Sequence, residues 1–83
     1  MTLNQFDSLV ADLQRGHRRN KARRTRLAIR VQAVLDQAEH QRYDPTLQLM
    51  PLEAQEGLLS DERAAFESAI GNVRLMRLHM HGV

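Results

Sequence analysis

The sequence predicts an all-α protein, a helical hairpin or small bundle with a long N-terminal helix, a short middle helix and a C-terminal helix folding back. Two observations carry this expectation. Apolar residues recur at three- and four-residue spacing through most of the chain, the signature of a helix with one packed face. No segment alternates apolar and polar residues between turn signals, so no strand is expected. With 83 residues the chain reads as a single small helical domain, 1–83. A chain of this length buries only somewhat over ~60% of its unfolded surface, so its own core is thin. Cysteine is absent, which leaves a partner chain as the usual means of making up the deficit.

Thr2 and Gln5 form a capping-box pair ahead of Leu3, Phe6, Val10 and Leu13, so a helix should start there. The same spacing resumes at Leu27, Val31, Val34 and Ala38, and the intervening seam positions are His17, Asn20 and Arg24. One helix from about Leu3 to Arg42 would keep a single register. Gly16 is its weak point, at ~1 kcal/mol against Ala, and the helix either kinks there or divides into a pair. Asp44-Pro45 ends it, because proline cannot continue a helix and disfavours the α conformation in the residue before it. Pro51 suits the first position of a short helix ending near Gly57. Ser60, followed by Asp61 and Glu62, suits the start of a last helix, a capping hydroxyl and two acids at the positive end of the dipole. Its core stripe is Phe66, Ala69, Ile70, Val73, Met76 and Met80, and Gly82 should end the order of the chain.

The net charge of +2 conceals a strong asymmetry. Eight of the twelve Lys and Arg lie between Arg15 and Arg30 with no acid among them. From Asp44 to Glu67 six acids face Arg63 alone. On a helix, Arg15, Arg19, Arg23, Arg26 and Arg30 fall within a sector of ~80°. They make a stripe ~22 Å long, centred ~120° from Leu27, Val31, Val34 and Leu35. Arg18 and Lys21 point elsewhere and Arg24 sits in the seam. Seven of the eight cations are arginine, whose planar fork suits phosphate or carboxylate. These five arginines are the candidate binding residues for an anionic partner.

Nucleic acid, either duplex DNA or structured RNA, is slightly favoured as that partner. The alternatives are an acidic protein surface and the acidic half of the chain itself. The segment resembles RNA-binding arginine-rich helices in composition, and a basic helix before an apolar seam resembles the basic regions of leucine-zipper proteins. It departs from the zipper pattern where Arg23 and Arg24, not small residues, follow Asn20. Only Phe6, Tyr43 and Phe66 are aromatic, and both Phe lie on expected core stripes, so no stacking platform for single strands can be assembled. Asn20 and Thr25 are too few to read bases.

Enzyme chemistry is not expected. No GxSxG motif occurs, the glycines stand singly at 16, 57, 71 and 82, and a pocket of ~300 Å³ is hard to house in so short a chain. No catalytic residue, cofactor or metal site is assigned; His79-x-His81 lacks further ligands, and His17 falls on the seam as a register or kink residue. Leu75 and Leu78 lie off the last helix's core stripe, near whose centre Arg77 sits, and are the candidate oligomer or partner interface. The expected protein is a regulator or inhibitor acting as a homodimer or in a heteromer, cytoplasmic and not membrane-bound, with no secretory signal and no apolar run approaching ~18 residues.

Overall fold

The computed structural model describes residues 2–81. Two helices, α1 (Leu3–Gln41) and α2 (Thr46–His81), are joined by a short connection at 42–45. The architecture is all-α, an antiparallel hairpin of 65 × 15 × 14 Å.

Local chemistry sets the helix ends. The Thr2 hydroxyl accepts from the Gln5 N–H at 3.2 Å, and the Gln5 side chain accepts from the Thr2 N–H at 2.8 Å, so the expected capping box is present. At the other end Arg42 adopts a left-handed conformation, φ 58° and ψ 52°, and donates its N–H to Ala38 O. The Tyr43 N–H reaches the same carbonyl at 3.1 Å. These bonds use a carbonyl that the helix terminus would otherwise leave unpaired. Asp44 then accepts from the Thr46 N–H at 3.0 Å, and Pro45 O accepts from Gln48 and Leu49. The chain therefore reverses within four residues.

Both helices repeat apolar residues every seventh position toward each other. From α1 come Phe6, Leu13, Leu27 and Val34, with Asn20 in the same series; from α2 come Leu52, Leu59, Phe66 and Val73. All are buried or half-buried. This is the repeat that lets two helices share one continuous seam. The direction is fixed by contacts down its length: Asp7 with Arg77, Gly16 with Phe66, Asn20 with Leu59. Val10, Val31 and Ala38 flank the first series on α1.

One point the spacing left open is settled and one expectation requires correction. First, α1 runs through Gly16 without a break. The Phe66 ring lies where a side chain at residue 16 would project; a Cβ there would come within 2.5 Å of two ring carbons. The glycine serves helix approach, not bending. Second, the short middle helix and the C-terminal helix are a single element. Asp44 caps it at Thr46, and it runs through Pro51, Gly57 and Ser60 without a stop. Pro51 removes the hydrogen bond to Leu47 O, but Leu47 is exposed and its first turn is already anchored by Pro45 O. A break at Gly57 would throw Leu52 and Leu59 off the common seam with Phe66, and that burial outweighs the local stop signals. Of the expected core stripe, Phe66, Ala69 and Ile70 are half-buried and Val73 is buried, whereas Met76 is exposed. The side chain of Met80 and all of Gly82 lie outside the described residues.

Gly16→Ala should lower stability by about 1–2 kcal/mol, because overpacking against Phe66 exceeds the ~1 kcal/mol gain in helix propensity. In a Phe66→Leu background the same change should become neutral or stabilising. Urea unfolding of the four proteins measures both, and a gain from Gly16→Ala alone would show that the ring moves aside without cost.

Candidate anion-binding face

α1 carries the five candidate arginines on a flank beside its buried series, with Arg23, Arg26 and Arg30 next to Leu27. Arg15, Arg19, Arg23, Arg26 and Arg30 are all exposed. Arg15 pairs with Asp12 one turn earlier on its own helix. Among the described residues, Arg19, Arg23, Arg26 and Arg30 make no ion pair. The acidic half of the chain does not neutralise them. Its cross-helix polar contacts are Glu67 with His17 at 3.4 Å and Glu62 with Asn20 at 3.1 Å; Glu53, Glu56 and Asp61 make no ion pair among the described residues.

Arg23, Arg26 and Arg30 also border a trough of about 410 Å³ between the helices, which has buried Leu27 at its floor and is lined further by Gln55, Leu58 and Leu59. A second trough of about 390 Å³ lies on the opposite flank of Leu27, lined by Arg24, Val31, Glu56 and Arg63 among others. Both exceed the ~300 Å³ that so short a chain was expected to lack. They are open clefts that any pair of packed rods leaves along its sides. Sequence spacing identified the arginines but not Leu58 as their neighbour. Leu58 stands one residue off the seam position of Leu59, but only the pairing of the two helices brings it beside the arginines.

The polar middle of the seam turns out to be structural. Asn20 is fully buried, at 0% exposure. Its amide donates to Leu59 O at 2.8 Å and to Glu62 Oε1 at 3.1 Å, and its carbonyl oxygen accepts from Arg24 Nε at 2.7 Å. It therefore cannot serve as a base reader. Thr25 is exposed but donates to Lys21 O at 3.0 Å within its own helix. Arg24 is turned inward, as the seam position implies. His17 is half-buried beside Glu67, which also accepts from Arg63 Nε at 2.9 Å. Arg77 reaches across to Asp7 at 2.7 Å. Leu75 and Leu78 are 57% and 67% exposed.

Among the described residues, no three His, Asp or Glu side chains gather as a metal site, and no helix is long and apolar enough to cross a membrane. Comparison with family models, with curated proteins and with solved structures returns no match.

Asn20→Leu should raise the melting temperature, since an apolar residue replaces a desolvated amide at a seam position, while weakening the penalty against other registers and assembly states. Sedimentation velocity should then show more than one species; a single species matching the parent would remove Asn20 from that role.

Two carboxylates are held below their ordinary values. The Arg63 hydrogen bond, followed by that of His17, lowers Glu67 below the usual 4.5. The Thr46 hydroxyl, followed by its N–H, lowers Asp44 below the usual 3.8. A carboxylate depressed in the folded state contributes stability above its unfolded value and loses it as pH falls through the folded one. Unfolding free energy should therefore decline as pH drops below 4.5, and Glu67→Gln should flatten the upper part of that decline in an acid titration followed by circular dichroism.

Proposed function

We propose that this chain is a non-enzymatic regulatory binding protein that engages an anionic partner through the arginine face of α1, with nucleic acid the favoured partner. One observation carries the reading. Arg19, Arg23, Arg26 and Arg30 stand exposed in a row with no carboxylate paired to them among the described residues. The same protein holds exposed acids at 53, 56 and 61. Guanidiniums left uncompensated on a rigid helix attract phosphate over the whole row. The stripe, at ~22 Å, matches about six base-pair steps of ~3.4 Å. Phe6 and Phe66 are occupied in the seam and Asn20 is buried. These assignments favour contact with a duplex backbone or a structured RNA groove over reading of single-stranded bases.

A second reading, an adaptor, chaperone or inhibitor docked on an acidic protein surface, has its own support. The trough beside Arg23, Arg26 and Arg30 has an apolar floor. That combination suits an acidic helix that inserts one or two apolar side chains. In either case the protein acts in the cytoplasm, as a homodimer or within a heteromer.

Binding to duplex DNA and to structured RNA, titrated against salt, separates the two. Engagement of about five phosphates gives a log–log slope near −4 to −5 on duplex DNA. Changing Arg19, Arg23 and Arg26 together to Glu should abolish binding with helicity unchanged. No binding to either polyanion at low salt would exclude nucleic acid, and unaltered affinity in the triple variant would exclude the stripe.

A further inference from the structure

The face of α2 that points away from α1 carries a second seven-residue pattern. Positions 47, 54, 61, 68 and 75, interleaved with 50, 57, 64, 71 and 78, run along one side of the helix, and every one of them is exposed. Large apolar side chains close both ends, Leu47 (83% exposed) and Met50 at one, Leu75 and Leu78 at the other. Between them Ala54, Gly57, Ala64 and Gly71 keep the face smooth. Nothing within the hairpin needs the two glycines. A Cβ at Gly57 or Gly71 would meet no atom within 4 Å, whereas one at Gly16 would strike Phe66. Glycine weakens a helix interior, so its presence at two exposed positions on one face suits an approach from outside the chain.

The pattern reads the same in both directions about a point between Glu62 and Arg63. A second α2 laid antiparallel about that point sets Leu47 against Leu78 of the other copy and Met50 against its Leu75. Ala54 then meets Gly71 and Gly57 meets Ser68, small residue on small residue. We infer that this face is the interface between two copies of the chain, antiparallel and centred between Glu62 and Arg63. The inference rests on the reading of Leu75 and Leu78 as an oligomer interface, and adds the occupant, direction and register. Charge agrees with it. Glu53 and Arg74 flank the seam, are exposed and make no ion pair among the described residues. The antiparallel register brings Glu53 within about two residues of Arg74 of the other copy, once at each end. A parallel pair would leave them ~31 Å apart and place Asp61 directly opposite its own copy. Size agrees as well. The seam is ~46 Å long and about one helix, ~10 Å, wide, and covering it on both copies removes on the order of 1,000 Å² from water, the threshold of a specific interface. An isologous contact of this kind closes on itself and stops at two. Asp61 is the one charge within the seam, next to the dyad.

The chain has no cysteine, so Ala54→Cys and Gly71→Cys each introduce a single thiol at an exposed site. Under mild oxidation, a mixture of the two full-length variants should form a disulfide-linked pair. Either variant alone should not, because its two thiols would lie ~25 Å apart along the axis, beyond the reach of a disulfide. Circular dichroism checks that both stay helical, and Asp61→Ala should tighten the unmodified dimer roughly tenfold by removing like charge at the dyad. Cross-linking within each variant alone, with no link between the two variants in the mixture, would overturn the antiparallel register. A dimer that forms none of these links would overturn this seam while leaving self-association through another surface. A chain that sediments as a monomer at all accessible concentrations would overturn the interface reading itself.

Discussion

Two helices bearing matched seven-residue repeats can slide past one another by a whole repeat with modest loss of apolar contact. In this hairpin the side chain that penalises the slide is Asn20. It is buried to completion and spends both amide hydrogens and its oxygen on fixed partners, Leu59 O, Glu62 and Arg24. A shift by one repeat toward Phe66 would put Ala69 where Glu62 now accepts and leave that amide hydrogen without its acceptor, at a cost of about 1–3 kcal/mol, whereas a shift toward Leu52 would exchange the carboxylate for the weaker neutral acceptor of Gln55. The short turn at 42–45 reinforces the same register from one end. Everything placed on the outside of the rods inherits its position from this pairing: the arginines of α1, the trough beside Leu27, and the outward face of α2.

The distribution of charge follows from geometry as well. Acids that sit close to the seam are drawn into cross-helix contacts, Glu62 with Asn20 and Glu67 with His17, and Asp7 takes Arg77. Arg19 lies far round α1 from the seam, and Arg26 borders α2 only at the uncharged side chains of the trough, Gln55, Leu58 and Leu59. A two-helix rod has no third element to cover its flanks, so like charges concentrated on one flank stay uncompensated. The basic and acidic halves of this chain lie side by side, yet most of their charges face different directions. A partner meeting α1 and a partner meeting the back of α2 would therefore occupy separate surfaces.

Much of this was legible from residue spacing. The capping box at Thr2, the continuous register of α1, the reversal after Gln41 and the exposed arginine sector are all local or periodic features, and periodicity survives folding unchanged. What spacing could not show was competition between local and distant effects. Pro51, Gly57 and Ser60 are sound stop and start signals in isolation, and they lost to the seven-residue series of Leu52, Leu59, Phe66 and Val73, which pays only if the helix stays whole. Gly16 looked like a hinge because the ring that occupies its missing side chain comes from fifty residues away. Register with Phe6, Leu13 and Leu27 placed Asn20 in the seam, but spacing could not show that Leu59 O and Glu62 would hold it there, because both partners come from α2. Leu58 was missed at the candidate site because its relation to Arg23 and Arg26 exists only across the helix pair.

The single connection at 42–45 gives the molecule a closed end and an open one. The hairpin can part progressively from the open end, as a zipper does, without disturbing the turn, and Asn20 stands across that path as a latch. Arg23, Arg26 and Arg30 lie between the latch and the turn, in the half that such parting reaches last. Their spacing is thus insulated from motion at the far end, so a ligand that matches it meets a ruler whose graduations hold still.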